Sequence, residues 1–187
     1  MNISISEFDN TLFIPSDGGI ATLVICNDLF FRRVVEDILD AYTKREENNR
    51  TVIYDSSHDP LNFAKDILIV TDIYSYDLAN RTITAALYKN IQDNSDIDAV
   101  KLAQIETGIL DILSAINTGF SQNLNYQTEI SINDLLKMAH VGLEADTGNN
   151  YLDKLYDIID SAQQLLSKRL VILINQRQLL THSELQA

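Results

Sequence analysis

The chain has no tryptophan, one cysteine, two prolines and six glycines in 187 residues. With Cys26 alone, no internal disulfide can form. So few prolines and glycines leave no flexible or stiff linker. A second structural unit must therefore be an insertion or an extension, not a bead on a string. No apolar run approaches the ~18 residues that a membrane-spanning helix needs. The opening MNISISEFDN lacks the basic and apolar regions of a secretory leader, so a cytoplasmic location is expected. Basic residues are scarce too: 14 against 27 acidic ones, for a net charge of −13. That balance favours solubility and repels nucleic acid unless the cations gather on one surface.

Hydrophobic residues make up 45% of the chain, enough for a core. Ile3 and Ile5 alternate with polar neighbours, and Thr11 to Ile14 repeats the signal after Asp9-Asn10, so a hairpin is expected. Ala21-Thr-Leu-Val-Ile-Cys26 is nearly continuous in apolar and β-branched residues. It reads as a central strand covered on both faces, with Cys26 a buried thiol. Asn27 or Asp28 can cap a helix whose inner face is Phe31, Val34, Val35, Ile38 and Tyr42. Val52 to Asp55 is a further strand, 56–65 a loop or a short turn around Pro60, and Asp66 to Asp72 a second buried strand. A helix near Asn80 carries Ile83, Leu87 and Ile91 inward. Alternation of strand and helix indicates an α/β sheet with parallel members.

The pattern then changes. Residues 97–116 form a long amphipathic helix, and Ile132, Leu135, Leu136, Ala139 and Leu143 a shorter one. Leu152, Leu155, Ile159, Ala162 and Leu166 make a heptad-like seam for helix-on-helix packing. Leu170 to Ile174 is a third buried strand returning to the sheet. The expected architecture is an α/β domain over 1–94 and 168–187, interrupted by a helical arm over 95–167. Thr181 and Glu184 have the spacing of a capping box. A helix announced there has few residues left, so the chain reads as shortened at its C-terminus.

No residues arranged for catalysis emerge. No GxxxxGK[ST] phosphate loop is present, and the turn after Ala21–Cys26 is Asn27-Asp28, without glycine or lysine to cradle phosphate. Asp72 resembles the acidic strand end that helps hold magnesium in nucleotide enzymes, but its simpler role is to hydrogen-bond the next turn. Gly18-Gly19 reads as a turn. His58, His140 and His182 are scattered and lack metal-ligand spacing. Glu144 follows His140 by four residues, one pair and too few ligands. No GxSxG or CxxC occurs, so no enzyme is expected.

Four ordered segments carry a resemblance. They are Leu23–Ile25 with Phe31, Val34-Val35, Ile38-Leu39 and Tyr42; Val52-Ile-Tyr-Asp55; Leu68-Ile-Val-Thr-Asp-Ile-Tyr-Ser-Tyr-Asp-Leu-Ala-Asn80; and Lys168-Arg-Leu-Val-Ile-Leu-Ile-Asn175 with Leu180-Thr181 and Glu184-Leu185. With the helical insertion between the third and fourth, the chain resembles the type II-A CRISPR adaptation protein, the Csn-two family. The resemblance implies a nucleoside-triphosphatase-like α/β sheet lacking a phosphate loop, with an inserted α-helical arm. It implies a tetrameric ring that binds double-stranded DNA ends without catalysis and slides along the duplex, with calcium steadying the arms. Spacer acquisition, beside two integrase proteins and an effector nuclease, is the implied setting.

Family members carry acidic residues before the shorter arm helix. Here Asn123-Leu-Asn125-Tyr-Gln127-Thr-Glu129 stands there, amides in place of carboxylates, which lowers the expected calcium affinity. Asn125, Glu129 and Asp134 are the ligand candidates. The candidate DNA contacts are Arg32, Arg33, Lys44, Arg45, Arg50 and Lys89, with Arg81 and Lys101 more scattered. A local set of cations can bind DNA in an acidic protein, because the counterions released are local. Without basic–aromatic interleaving, phosphate contacts free of sequence preference are expected. The rival reading is an acidic helical scaffold in the adaptation complex that does not touch DNA. A nucleotide-dependent enzyme, suggested only by fold analogy, is the weaker rival.

Overall fold

The computed structural model describes residues 1–5, 12–14, 19–44, 51–94, 96, 98–143 and 150–176. Its contacts divide it into two compact units, Met1–Tyr76 with Thr147–Ala187, and Asp77–Asp146.

In the first unit, β1 (Asn2–Ile5) is the middle strand of an antiparallel sheet, between β2 (Leu12–Phe13) and β3 (Thr51–Tyr54). The Met1 ammonium donates to the Ile14 carbonyl at 2.7 Å and closes that edge. Helix α1 (Asp28–Lys44) begins where the Asn27 carboxamide accepts the Phe30 amide at 2.9 Å. It buries Val34 and Ala41. The Asn62 carboxamide caps the single turn α2 (Phe63–Asp66) by accepting the Lys65 amide. Strand β4 (Ile67–Val70) follows at once. Far along the chain, Leu170–Leu173 lies parallel to it, with Ile67 opposite Leu170 and Val70 opposite Leu173.

The core of this unit ties the two sheets together. Ala41, Ile53, Leu61, Phe63 and Ile67 form one buried cluster, and Ile3, Ile38, Leu170 and Ile172 pack against it. Full burial of an Ile side chain contributes about 1.5–3 kcal/mol.

In the second unit, helix α3 (Arg81–Asn94) starts at Asn80, whose side chain accepts the Thr82 and Ile83 amides. Helix α4 (Ala99–Thr118) starts at Asp98, which accepts from Val100 and Lys101. Ser131 and Asp134 form a capping box on α5 (Ile132–Met138). The Tyr88 hydroxyl donates to the Leu136 carbonyl at 3.2 Å, and Asn133 donates to Gln92, so α3 and α5 are joined. Glu106 on α4 accepts the Ile130 amide.

Two further elements complete the first unit: α6 (Tyr151–Gln164), capped by Asn150, and the returning strand, β5 (Leu170–Leu173). The expected seam on α6 is displaced. Tyr151, Leu155, Ile158 and Ala162 are buried there, a spacing of four, three and four that begins one residue earlier than expected. This helix was expected in the arm and lies with the first unit, whereas α3 was expected in the α/β part and lies with the second.

Ala21–Cys26 corrects the sequence reading. It is no strand, and Leu23 and Val24 are 40% and 59% exposed. Cys26 is exposed, not buried. A strand exists only where another backbone completes its ladder, and among the described residues β4 and β5 pair only with each other. Among the described residues parallel pairing is confined to those two strands, where a wider parallel sheet was expected. Residues 56–65, expected as a loop or a short turn around Pro60, contain the start of the single turn α2. The shorter arm helix ends at Met138, before Ala139 and Leu143, and His140 has a left-handed φ of 51°. The proposed hairpin turn at Asp9-Asn10, the charged run 45–50, Glu144 and the capping pair Thr181/Glu184 lie outside the described residues.

Ile158 is fully buried and Ile112 is 62% exposed. Ile158→Ala should cost about 2–5 kcal/mol in urea unfolding, while Ile112→Ala should change stability by no more than about 0.5 kcal/mol.

Candidate functional site

Ligands of parallel sheets collect at the carboxyl ends of the strands, where successive loops diverge. Here that edge is Thr71-Asp72 after β4 and Ile174-Asn175-Gln176 after β5. Asn175 has a φ of 60°, a left-handed conformation that asparagine tolerates. The turn carries Gln176 into the interior, where it is 5% exposed. Its carboxamide donates to the Thr71 carbonyl at 2.7 Å and to the Ile174 carbonyl at 2.8 Å. The Tyr151 hydroxyl donates to its oxygen at 2.8 Å. One side chain thus ties together the ends of both strands and the start of α6. Tyr151 also meets the Tyr74 ring edge-on, with centroids 5.6 Å apart.

Asp72 holds the loop that follows. It accepts the Tyr74 amide at 2.9 Å and the Ser75 hydroxyl. The Ser75 hydrogen bond holds its carboxyl below the usual carboxylate range. This is the turn-bonding role expected of it. Lys154, whose charge also lowers the Asp72 pKa, donates to the Tyr74 carbonyl at 2.6 Å, so that cation is committed to the same loop. The edge is a braced scaffold of satisfied polar groups.

At the opposite end of the pair, Lys168 donates to the Ala64 and Lys65 carbonyls at 2.7 and 2.9 Å. Burial holds its pKa below the ordinary lysine value. Arg169 reaches Asp55 at 3.0 Å, and that hydrogen bond lowers the Asp55 pKa. None of Gln176, Tyr151, Lys154 and Arg169 was singled out in the sequence. The readable signal was the polar Asn175-Gln176 directly after β5, which was expected to be buried and is half-buried.

The candidate DNA contacts are only partly gathered. Arg32 and Arg33 lie exposed on α1, and Arg32 pairs with Glu36 at 2.8 Å. Lys44 ends that helix; its side chain, and Arg45 and Arg50 entirely, lie outside the described residues. Lys89 is exposed on α3, in the other unit. The second unit holds four of the 14 basic residues and ten of the 27 acidic ones. Both units are acidic by count, but most cations belong to the first.

The calcium candidates are not assembled into a cage. Asn125 is exposed in the segment between α4 and α5. Glu129 and Asp134 border an open hollow of about 330 Å³ with Ile109, Leu113, Gln127, Ile130, Leu135 and Met138. Asp134 accepts from the Ser131 amide and hydroxyl, and those bonds lower its pKa. Calcium takes about six to eight oxygens. Among the described residues no group of three or more His, Cys, Asp or Glu side chains could hold a metal. As folded, the three candidates do not fit a calcium site.

Asp55, Asp72 and Asp134 all titrate below their ordinary value. A depressed folded pKa contributes stability above the unfolded value, lost as pH falls through the folded one. The urea midpoint should therefore fall below about pH 4. The triple variant Asp55→Asn, Asp72→Asn, Asp134→Asn should show a smaller fall over the same window. Gln176→Ala should cost about 1–3 kcal/mol, because it strands buried polar partners.

Among the described residues no helix is long and apolar enough to cross a membrane. No curated protein matches the chain. A family model of CRISPR-associated proteins, Cas_Csn2, matches residues 44–187, well over half of the sequence. The chain therefore belongs to the Cas_Csn2 family of CRISPR-associated proteins.

Proposed function

We propose that this protein binds double-stranded DNA ends without catalysis, as a ring of four copies, during CRISPR spacer acquisition. Family membership is the observation that carries this reading. The parallel pair β4–β5, with Asp72 beyond the end of β4, supports a nucleoside-triphosphatase-like ancestry for the α/β part. The committed state of Asp72 and Lys154 supports a binding role over phosphate chemistry at that edge.

The mechanism is electrostatic. Cations on the first unit, Arg32 and Arg33 foremost, would line the hole of the ring, with Lys44, Arg45 and Arg50 following in sequence. Lys89 would contribute from the other unit. Symmetry multiplies each contact fourfold, so a few residues per copy suffice despite the net charge of −13. The helical arm of this reading, residues 95–167, would hold copies together. Integrase proteins and the effector nuclease are the partners this reading implies.

A scaffold role without DNA is the second reading. It is favoured by one observation, the exposed apolar side chains of α4.

A linear duplex and a closed circle of the same sequence separate the two. Tetramers should hold the linear DNA and not the circle, with affinity falling steeply as salt rises. The variant Arg32→Ala, Arg33→Ala, Lys44→Ala, Arg45→Ala should lose that binding at unchanged oligomeric state. A monomer or dimer indifferent to both DNA forms would sink the ring reading and leave the scaffold.

A further inference from the structure

We draw no further inference here: the strongest candidate, the open hollow that Ile109 and Leu113 of α4 line with Leu135 and Met138 of α5, carries nothing because no feature of the structure shows what covers it.

Discussion

β4 and β5 must find each other across the whole second unit, and the rest of the first unit depends on that pairing. Lys168, just before β5, bonds to Ala64, a partner 104 residues earlier. Parallel strands need a long crossover, and here the crossover includes the entire unit Asp77–Asp146. Closing so long a loop is entropically costly, though the cost grows only slowly with length. It is offset at both ends of the pair. Lys168 and Arg169 pin the start to α2 and to Asp55. Gln176 pins the finish to Thr71, Ile174 and Tyr151. Between them Ile67 and Val70 are almost completely buried.

The same pairing shapes what the carboxyl edge can do. In a nucleotide enzyme, groups at that edge remain free to meet phosphate and metal. Here Asp72, Ser75 and Lys154 satisfy one another or the loop backbone. The acidic strand end persists as structure. Binding capacity therefore has to be sought on outward surfaces, the cations of α1 and the exposed apolar side chains of α4. These lie in different compact units, so one chain can divide a charged task from an apolar one.

Much of this was legible from local pattern. The hairpin strands, α1, β3, β4, α3, α4 and β5 all stand close to where periodicity and capping residues place them. Asn27, Asn80 and Asp98 act as caps because their short side chains reach backbone amides a few residues ahead. Three of the four ordered segments that resemble the CRISPR adaptation family fall within the residues the family model matches, 44–187; the first, Leu23 to Tyr42, precedes them. Ala21–Cys26 shows where such reading stops. Its composition suits a buried strand, but composition does not supply a neighbouring ladder. The α6 seam fails in a related way: several apolar residues could each face inward, and contacts with the first unit select Tyr151, Leu155, Ile158 and Ala162.

Periodicity, capping chemistry and the absent phosphate loop are properties of short windows, so the sequence by itself determined most element types, the mixed α/β class and the family. Partnership between distant windows is a property of the folded chain. Tertiary structure alone decided that Gln176 is buried and bonded to Tyr151, that the Tyr88 hydroxyl reaches the Leu136 carbonyl on α5, and that Cys26 faces solvent. It also decided that a mid-helix glycine on α4 stands open beside exposed isoleucines. The physical reason is common to all four: burial and hydrogen-bond satisfaction depend on which surfaces meet, and residue type constrains that choice without making it.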